Sequence, residues 1–287
     1  RKIFKDKKIK YKDLKINKGT INFTLTESEI VRFEKFFLEK DNFINVYYNQ
    51  YKSFELEHII ENNNVIIKYT KFGLIEIKNS TLEQSLEIVR RRIDELGTRD
   101  PTIIKRGANR ILVELPGLDD PNRIKNLLGK TANLTFRLVS DDDDDFGSDL
   151  LFFEDNLTQL KVSKRVVLSG ENLDNARPSF NNQNNESVVS FSLDRPGAKK
   201  FGRITSKNVG RRLAIILDNK IISAPEIREA ILGGNGQISG NFTLQSASDL
   251  ALLLRSGSLP APLNIIEERT VGPDLGEDSI KAGAISL

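Results

Sequence analysis

At 287 residues, with 38% hydrophobic content, the chain can hold one large domain or two smaller ones, and its net charge of +3 gives nucleic-acid binding no support. The absence of cysteine removes disulfides, thiolate catalysis and cysteine-based metal sites. No stretch reaches the about 18 apolar residues needed to span a bilayer, and the lack of methionine in a chain that starts with Arg1 is read as the mark of a fragment.

Residues 1–18 are rich in lysine, opposed by Asp6 and Asp13. A solvated, frayed terminus is expected there, with a tail near anionic lipid headgroups as the alternative. Residues 12–80 read as α+β. Ile21, Phe23 and Leu25 alternate in a strand, and Thr26 with Glu29 spells a capping box for a helix bearing Ile30, Phe33, Phe36 and Phe37. His58 is the only histidine; it lies in an amphipathic run and lacks the partners that a triad or zinc site requires, so a structural role is expected. Val65, Ile67 and Tyr69 make another strand, followed by Leu74, Ile75 and Ile77. This stretch is read as the second half of a sheet built by residues 82–140.

Within 82–140 the hydrophobic period switches cleanly. Leu82, Leu86, Val89, Ile93 and Leu96 recur at helical spacing, and Gly97 stops that helix. Arg90, Arg91 and Arg92 read as its solvated face, with modest pairing to Asp94 or Glu95. Ile103 and Ile104 begin a hairpin whose turn is 106–109 and whose second strand carries Ile111, Val113 and Leu115. Asp119, Asp120 and Pro121 open a second helix with Ile124, Leu127 and Leu128, and Leu134, Phe136 and Leu138 close the unit as a strand. The order is most of a split βαβ unit, so the fold class is α+β with a ferredoxin-like base layer.

The five aspartates at 141–145 are expected in an exposed loop, since a calcium loop would need regular ligand spacing and a turn glycine. Residues 160–243 read as mainly β: strands at 162, 165–168, 188–193, 213–217, 221–223 and 237–242, with a helix at 197–205 that turns Phe201 and Ile204 inward. Asp218-Asn219-Lys220 is a tight hairpin turn. Gly233-Gly-Asn-Gly236 lacks the residues and context of a phosphate loop and reads as a turn. Ser246 caps a helix over 247–255 with Leu250, Leu253 and Leu254 buried; Ser256-Gly-Ser258 is a linker, and 263–271 is a strand. No nucleophile–base or paired-carboxylate constellation stands out, and the strand at 110–117 has no aromatic ladder for RNA.

Several ordered stretches carry a resemblance. IVRRRIDELG, RILVELPG, LTFRLV, GAKKF at 197–201, NVGRRLAIILDNKIISAP at 208–225, GGNGQISGNF at 233–242, LLLRSGSLPAPL at 252–263 and EERTVGPDLGEDSIKAG at 267–283 resemble the SecD family. These are membrane subunits of the bacterial Sec protein-translocation machinery. The first 80 residues resemble it only loosely. The resemblance implies a large extracytoplasmic domain on the periplasmic side of the inner membrane, with membrane helices outside this stretch and residues 276–287 approaching one of them. It implies partnership with SecF and the SecYEG channel, export of unfolded preprotein driven by the proton motive force, and no enzyme chemistry, cofactor or metal.

By analogy with the family, 1–140 plus 244–287 is expected to form the base and 141–243 an inserted head. Ser140, Asp141, Phe146, Asn241 and Ser246 mark its hinges. Phe180, Val188, Phe191, Ile221 and Ile222 are candidates to line a groove for unfolded polypeptide, against plain core packing as the simpler reading. Two alternatives stay open: a periplasmic small-molecule-binding domain of a resistance-nodulation-division efflux pump, and a stand-alone ferredoxin-like hydrolase, which would need a phosphate loop and an Arg–Asn pair.

Overall fold

The computed structural model describes residues 2–17, 19–40, 44–117, 120–140, 147–181 and 185–269. The chain divides into two compact units, one of Arg1–Leu86 with Thr102–Glu114, the other of Glu87–Pro101 with Leu115–Leu287.

The smaller unit opens with α1 (Lys2–Asp6), β1 (Lys12–Asn17) and β2 (Thr20–Thr24), followed by α2 (Glu27–Phe37), the short α3 (Tyr48–Tyr51), β3 (Leu56–Glu61) and β4 (Asn64–Tyr69). The strands form one antiparallel sheet in the order β1-β2-β4-β3. The β3–β4 connection is Asn62-Asn63 with both φ positive, the left-handed pair that a two-residue hairpin turn demands. Phe4, Ile9, Phe23, Phe33, Phe37, Val65 and Ile67 make its core. The rings of Phe4, Phe23 and Phe33 meet edge to face. The basic terminus is therefore no frayed tail: Phe4 and Ile9 anchor it, because alternating lysines leave two apolar side chains for the core. Thr26 sits at the N-cap of α2, but no side-chain capping bond forms, so the expected capping box is absent.

The helix α4 (Lys71–Glu95) begins eleven residues before the apolar period at Leu82. Thr70 is responsible: its hydroxyl accepts from the Gly73 amide and donates to the Phe54 carbonyl at 2.7 Å. Gly73 is required there, since a Cβ would lie 2.1 Å from the Glu55 carbonyl oxygen. The hairpin β5 (Thr102–Arg106) and β6 (Arg110–Glu114) pairs with no other strand among the described residues.

The larger unit continues with α5 (Pro121–Gly129), β7 (Leu134–Val139), β8 (Ser148–Phe152), β9 (Gln159–Ser169), β10 (Leu173–Phe180), β11 (Ser187–Leu193), α6 (Arg195–Lys207), β12 (Leu213–Leu217), β13 (Lys220–Ser223), β14 (Asn235–Phe242) and α7 (Leu244–Ser256). Asp120 caps α5 through the Arg123 amide with proline in the first turn, and Asp194 caps α6 the same way. Five strands form one sheet, β13-β12-β7-β9-β8, and three form another, β10-β11-β14. Asp218 and Asn219, both at positive φ, make the β12–β13 turn that the sequence spells.

Three elements depart from expectation. The strand at 134–139 does not close a layer with residues 12–80 or with the 102–114 hairpin; β7 runs between β12 and β9. All five residues of β12 are buried, so it needs neighbours that can be buried on both faces, and β7 is such a strand. α7 is capped by Thr243, not Ser246; Ser246 is the third residue of a reciprocal capping box. Residues 263–269 form no strand; Asp119, the aspartate run at 141–145 and the end of the expected strand at 263–271 lie outside the described residues.

The largest departure is Arg92, read as solvated and found fully buried. Its guanidinium donates to the carbonyls of Leu127 at 2.8 Å, Leu128 at 3.0 Å, Lys130 and Gly257 at 3.2 Å. Burial lowers its pKa to about 10, with Asp218 acting in the opposite direction. Arg92→Met would leave four carbonyls without their donor. The expected loss is roughly 3 kcal/mol or more of stability in the larger unit, read as a lower urea midpoint against wild type, whereas Arg91→Met at the exposed neighbour leaves the midpoint within error.

Candidate functional site

The larger unit has two hydrophobic cores because its five-stranded sheet is covered on both faces. Leu134, Phe136, Leu213, Ile215, Leu217 and Ile222 face α6, α7 and the three-stranded sheet. Val139, Val162, Ala214, Ile216, Ile221 and Ala224 face the other way. The ends of the sheet approach each other there: Phe153 bridges Ile221, and the Glu154 amide donates to the Ile221 carbonyl at 3.3 Å.

That layering decides the fate of the five residues expected to line a groove. Val188, Phe191, Ile221 and Ile222 are buried, Ile221 completely. Phe191 packs against Phe136 and Phe201, and Gly236 gives its ring room, since a Cβ there would lie 2.5 Å from it. Only Phe180, at the end of β10, is open to solvent, 49% exposed. The structure therefore does not bring the five together as a surface; the simpler reading, core packing, describes four of them.

What the three-stranded sheet does present is polar. Its register aligns Asn175, Ser192 and Asn235 in one row and Arg177, Ser190 and Gln237 in the next. These residues line an open cavity of about 560 Å³. The signal was in the sequence: Ser190 and Ser192 alternate with Phe191, the period-2 mark of a strand with one wet face. β10 is an edge strand, and Pro178 within it lacks an N–H, as edge positions tolerate. One side chain anchors this edge. Arg255 of α7 donates to the Ala176 carbonyl at 2.6 Å and forks onto the Glu95 carboxylate at 3.1 Å.

A second surface is the β8–β9 hairpin. Asp155 accepts from the amides of Leu157 at 2.8 Å and Thr158 at 3.1 Å, and those bonds lower its pKa. The turn so fixed holds Leu157 86% exposed, with Leu150 and Phe152 also open on β8. Neither group was singled out from the sequence, because isolated exposed apolar residues carry no period.

The expected hinges fall as follows. The Ser140 amide donates to Lys161 at 3.0 Å. Asn241 belongs to β14 and Ser246 to the α7 capping box. Asp141 and Phe146 lie outside the described residues. His58 sits in the smaller unit against the rings of Phe33 and Phe37, 3.5 Å from Glu34. Among the described residues no group of three His, Cys, Asp or Glu could hold a metal ion, and no helix is long and apolar enough to cross a membrane.

Comparison with known proteins bears directly on this unit. Residues 148–261 match the family model of the SecDF P1 head subdomain, and residues 82–141 match that of the N-terminal part of the P1 domain of protein translocase subunit SecDF. The protein translocase subunit SecD of Rickettsia bellii is 44% identical over 293 residues, which is 99% of this chain and 54% of that protein. That of Acetobacter pasteurianus is 51% identical over 211 residues, 71% of this chain and 40% of that protein. The chain thus spans about half the length of the curated relatives it matches. A solved structure described as a membrane component SecDF that enhances protein export superposes with a TM-score of 0.57 at 33% identity, covering 75% of this chain and 98% of that one. The crystal structure of SecDF in a super-membrane-facing form gives 0.59 at 34% identity, covering 80% of this chain and 32% of that one.

The Arg255–Glu95 fork has a pH signature. The hydrogen bond from Arg255, more than its charge, holds the Glu95 carboxyl below its ordinary 4.5, while partial burial works in the opposite direction. A lowered carboxylate pKa means stability that is complete above the unfolded value and lost as pH falls through the folded one. The urea midpoint of wild type is expected above that of Glu95→Gln at neutral pH, the gap closing as pH falls below 4.5.

Proposed function

This chain belongs to the SecD family of protein translocase subunits, and we propose that it is the extracytoplasmic domain of such a subunit, handling unfolded preprotein during export. The observation that carries the reading is the paired match, in chain order, to the N-terminal part and the head subdomain of the P1 domain. In this reading the parent works with SecF and the SecYEG channel on the outer side of the bacterial inner membrane and draws on the proton motive force. The domain itself does mechanical work without a cofactor.

In this reading the smaller unit serves as base and the larger carries the head, a division that the packing of Leu134–Val139 and Leu244–Ser256 within the larger unit supports. A ferredoxin-like base remains part of the proposal for the whole subunit. Displacement of one unit against the other would draw its freedom from the chain passages at Pro101 and Glu114, together with bending of α4, which is continuous through Leu86, rather than from the bonded positions Ser140, Asn241 and Ser246.

Contact with polypeptide falls to surfaces the structure leaves open: the polar rows of the three-stranded sheet, Phe180 at the end of β10 on the other face, and the Leu157 tip. Amide and hydroxyl rows can satisfy main-chain groups of any sequence, and isolated apolar contacts stay weak enough to release. A photoreactive amino acid placed at Phe180, Gln237 or Leu157 of the full-length parent is expected to crosslink to an arrested export intermediate, while one at the buried Ile221 is not. Crosslinks confined to the smaller unit, for example at Ile59, would overturn the assignment.

A further inference from the structure

We infer that the β5–β6 hairpin docks on an anionic phospholipid surface, with Arg106 and Arg110 as phosphate ligands and Ile104 and Leu112 as an apolar shelf beside them. The register carries the argument. Arg106 lies directly opposite Arg110, Ile104 opposite Leu112, and Thr102 opposite Glu114. Residues two apart on a strand share a face, so the two arginines and the Ile104–Leu112 pair occupy one side of the ribbon. Like charges directly opposite each other in an antiparallel pair repel. Neither arginine has a carboxylate partner among the described residues. The contrast with the other side of the ribbon is sharp: there Lys105 pairs with Glu83 of α4 at 3.1 Å.

The turn sets Arg106 and Arg110 at opposite positions of the ribbon. Gly107 takes a φ of +69, and the ribbon pairs with no further strand among the described residues. A two-stranded ribbon is marginal alone, so a repelling pair at its tip is a standing cost that an anion between the forks would remove. Two guanidinium forks suit phosphate, which accepts bidentate bonds. The apolar row selects the source. Ile104 is 49% exposed one row behind the arginines. Free phosphate would gain nothing from that shelf, whereas at a bilayer surface the headgroup phosphate meets the arginines and the acyl boundary meets Ile104 and Leu112. The inference stands on this hairpin alone and is independent of the polypeptide surfaces above.

The test is vesicle flotation with the purified 287-residue chain. Phosphatidylcholine vesicles containing phosphatidylglycerol are expected to carry the chain at low salt, and pure phosphatidylcholine vesicles are not. Arg106→Gln/Arg110→Gln is expected to cut binding about tenfold or more, and Ile104→Ser/Leu112→Ser to weaken it with the salt dependence kept. Lys5→Gln/Lys10→Gln/Lys12→Gln, on the basic N-terminal stretch, should leave binding within about twofold if the hairpin is the site. The thermal midpoint of the double arginine variant is expected to equal or exceed wild type, since repulsion is relieved. Binding unchanged by the arginine substitutions, or lost with the N-terminal lysines alone, overturns the proposal. So does a lower midpoint for the arginine variant. Full competition by pyrophosphate would make this a free-phosphate site, and equal displacement by a poly-glutamate peptide would make it a site for acidic protein; either result also refutes the lipid assignment.

Discussion

A buried guanidinium at the end of a helix organises the larger unit. The last carbonyls of α5 have no partners within the helix, and they point where its dipole is negative. Arg92 fills that position from α4 and reaches past the helix to Lys130 and to Gly257 beyond α7. Only a fork spans these acceptors at once; a lysine would meet them with a single point charge. The loop that follows is held from its other side. The Asp218 carboxylate accepts from the Thr131 hydroxyl and the amides of Ala132 and Asn133, and the Leu259 amide donates to the Thr131 carbonyl. β7 leaves from this clamp, which fixes where the strand enters the sheet between β12 and β9.

From that placement the nature of the working surface follows. With β7 and β12 covered on both faces, the apolar residues of the sheet are spent on two cores and cannot also form a greasy groove. What remains outside is the polar side of the three-stranded sheet, its edge, and the turn that Asp155 stiffens around Leu157. In the proposed reading, a surface of this kind would hold extended chain through main-chain hydrogen bonds and a few apolar contacts, with little discrimination among sequences.

Local grammar was legible wherever one residue type has one physical use. Asp120-Pro121 starts α5, Gly97 at positive φ ends α4, and Asp218-Asn219 turns the chain between β12 and β13. Non-local choices were not. Nothing in Leu134-Thr-Phe-Arg-Leu-Val says which strands lie beside it; β12 decides that by burying all five of its residues. The early start of α4 was hidden because Leu74, Ile75 and Ile77 are exposed and so carry no helical stripe. Hydrophobicity alone marks the apolar candidates, and a core selects the same property, whereas the serine alternation of β11 marks the wet face.

The arginines show how such a distinction is drawn from chemistry. Arg90, Arg91 and Arg92 stand together in sequence, yet helical geometry separates them: Arg90 and Arg91 meet Glu87, and Arg92 falls in the buried stripe with Leu82, Ser85, Val89 and Ile93. That stripe runs at spacings of three and four, so the period that marked the apolar residues already included position 92. A cation in such a stripe must bring its acceptors with it, and here four carbonyls meet it. Arg255 and Arg123 likewise find carboxylates within the chain, at Glu95 and Asp249. Arg106 and Arg110 stand opposite each other across their ribbon, without a carboxylate partner among the described residues. A guanidinium whose acceptors come from its own chain is a fastening, and one set opposite its like keeps its bonding capacity for solvent or an outside anion.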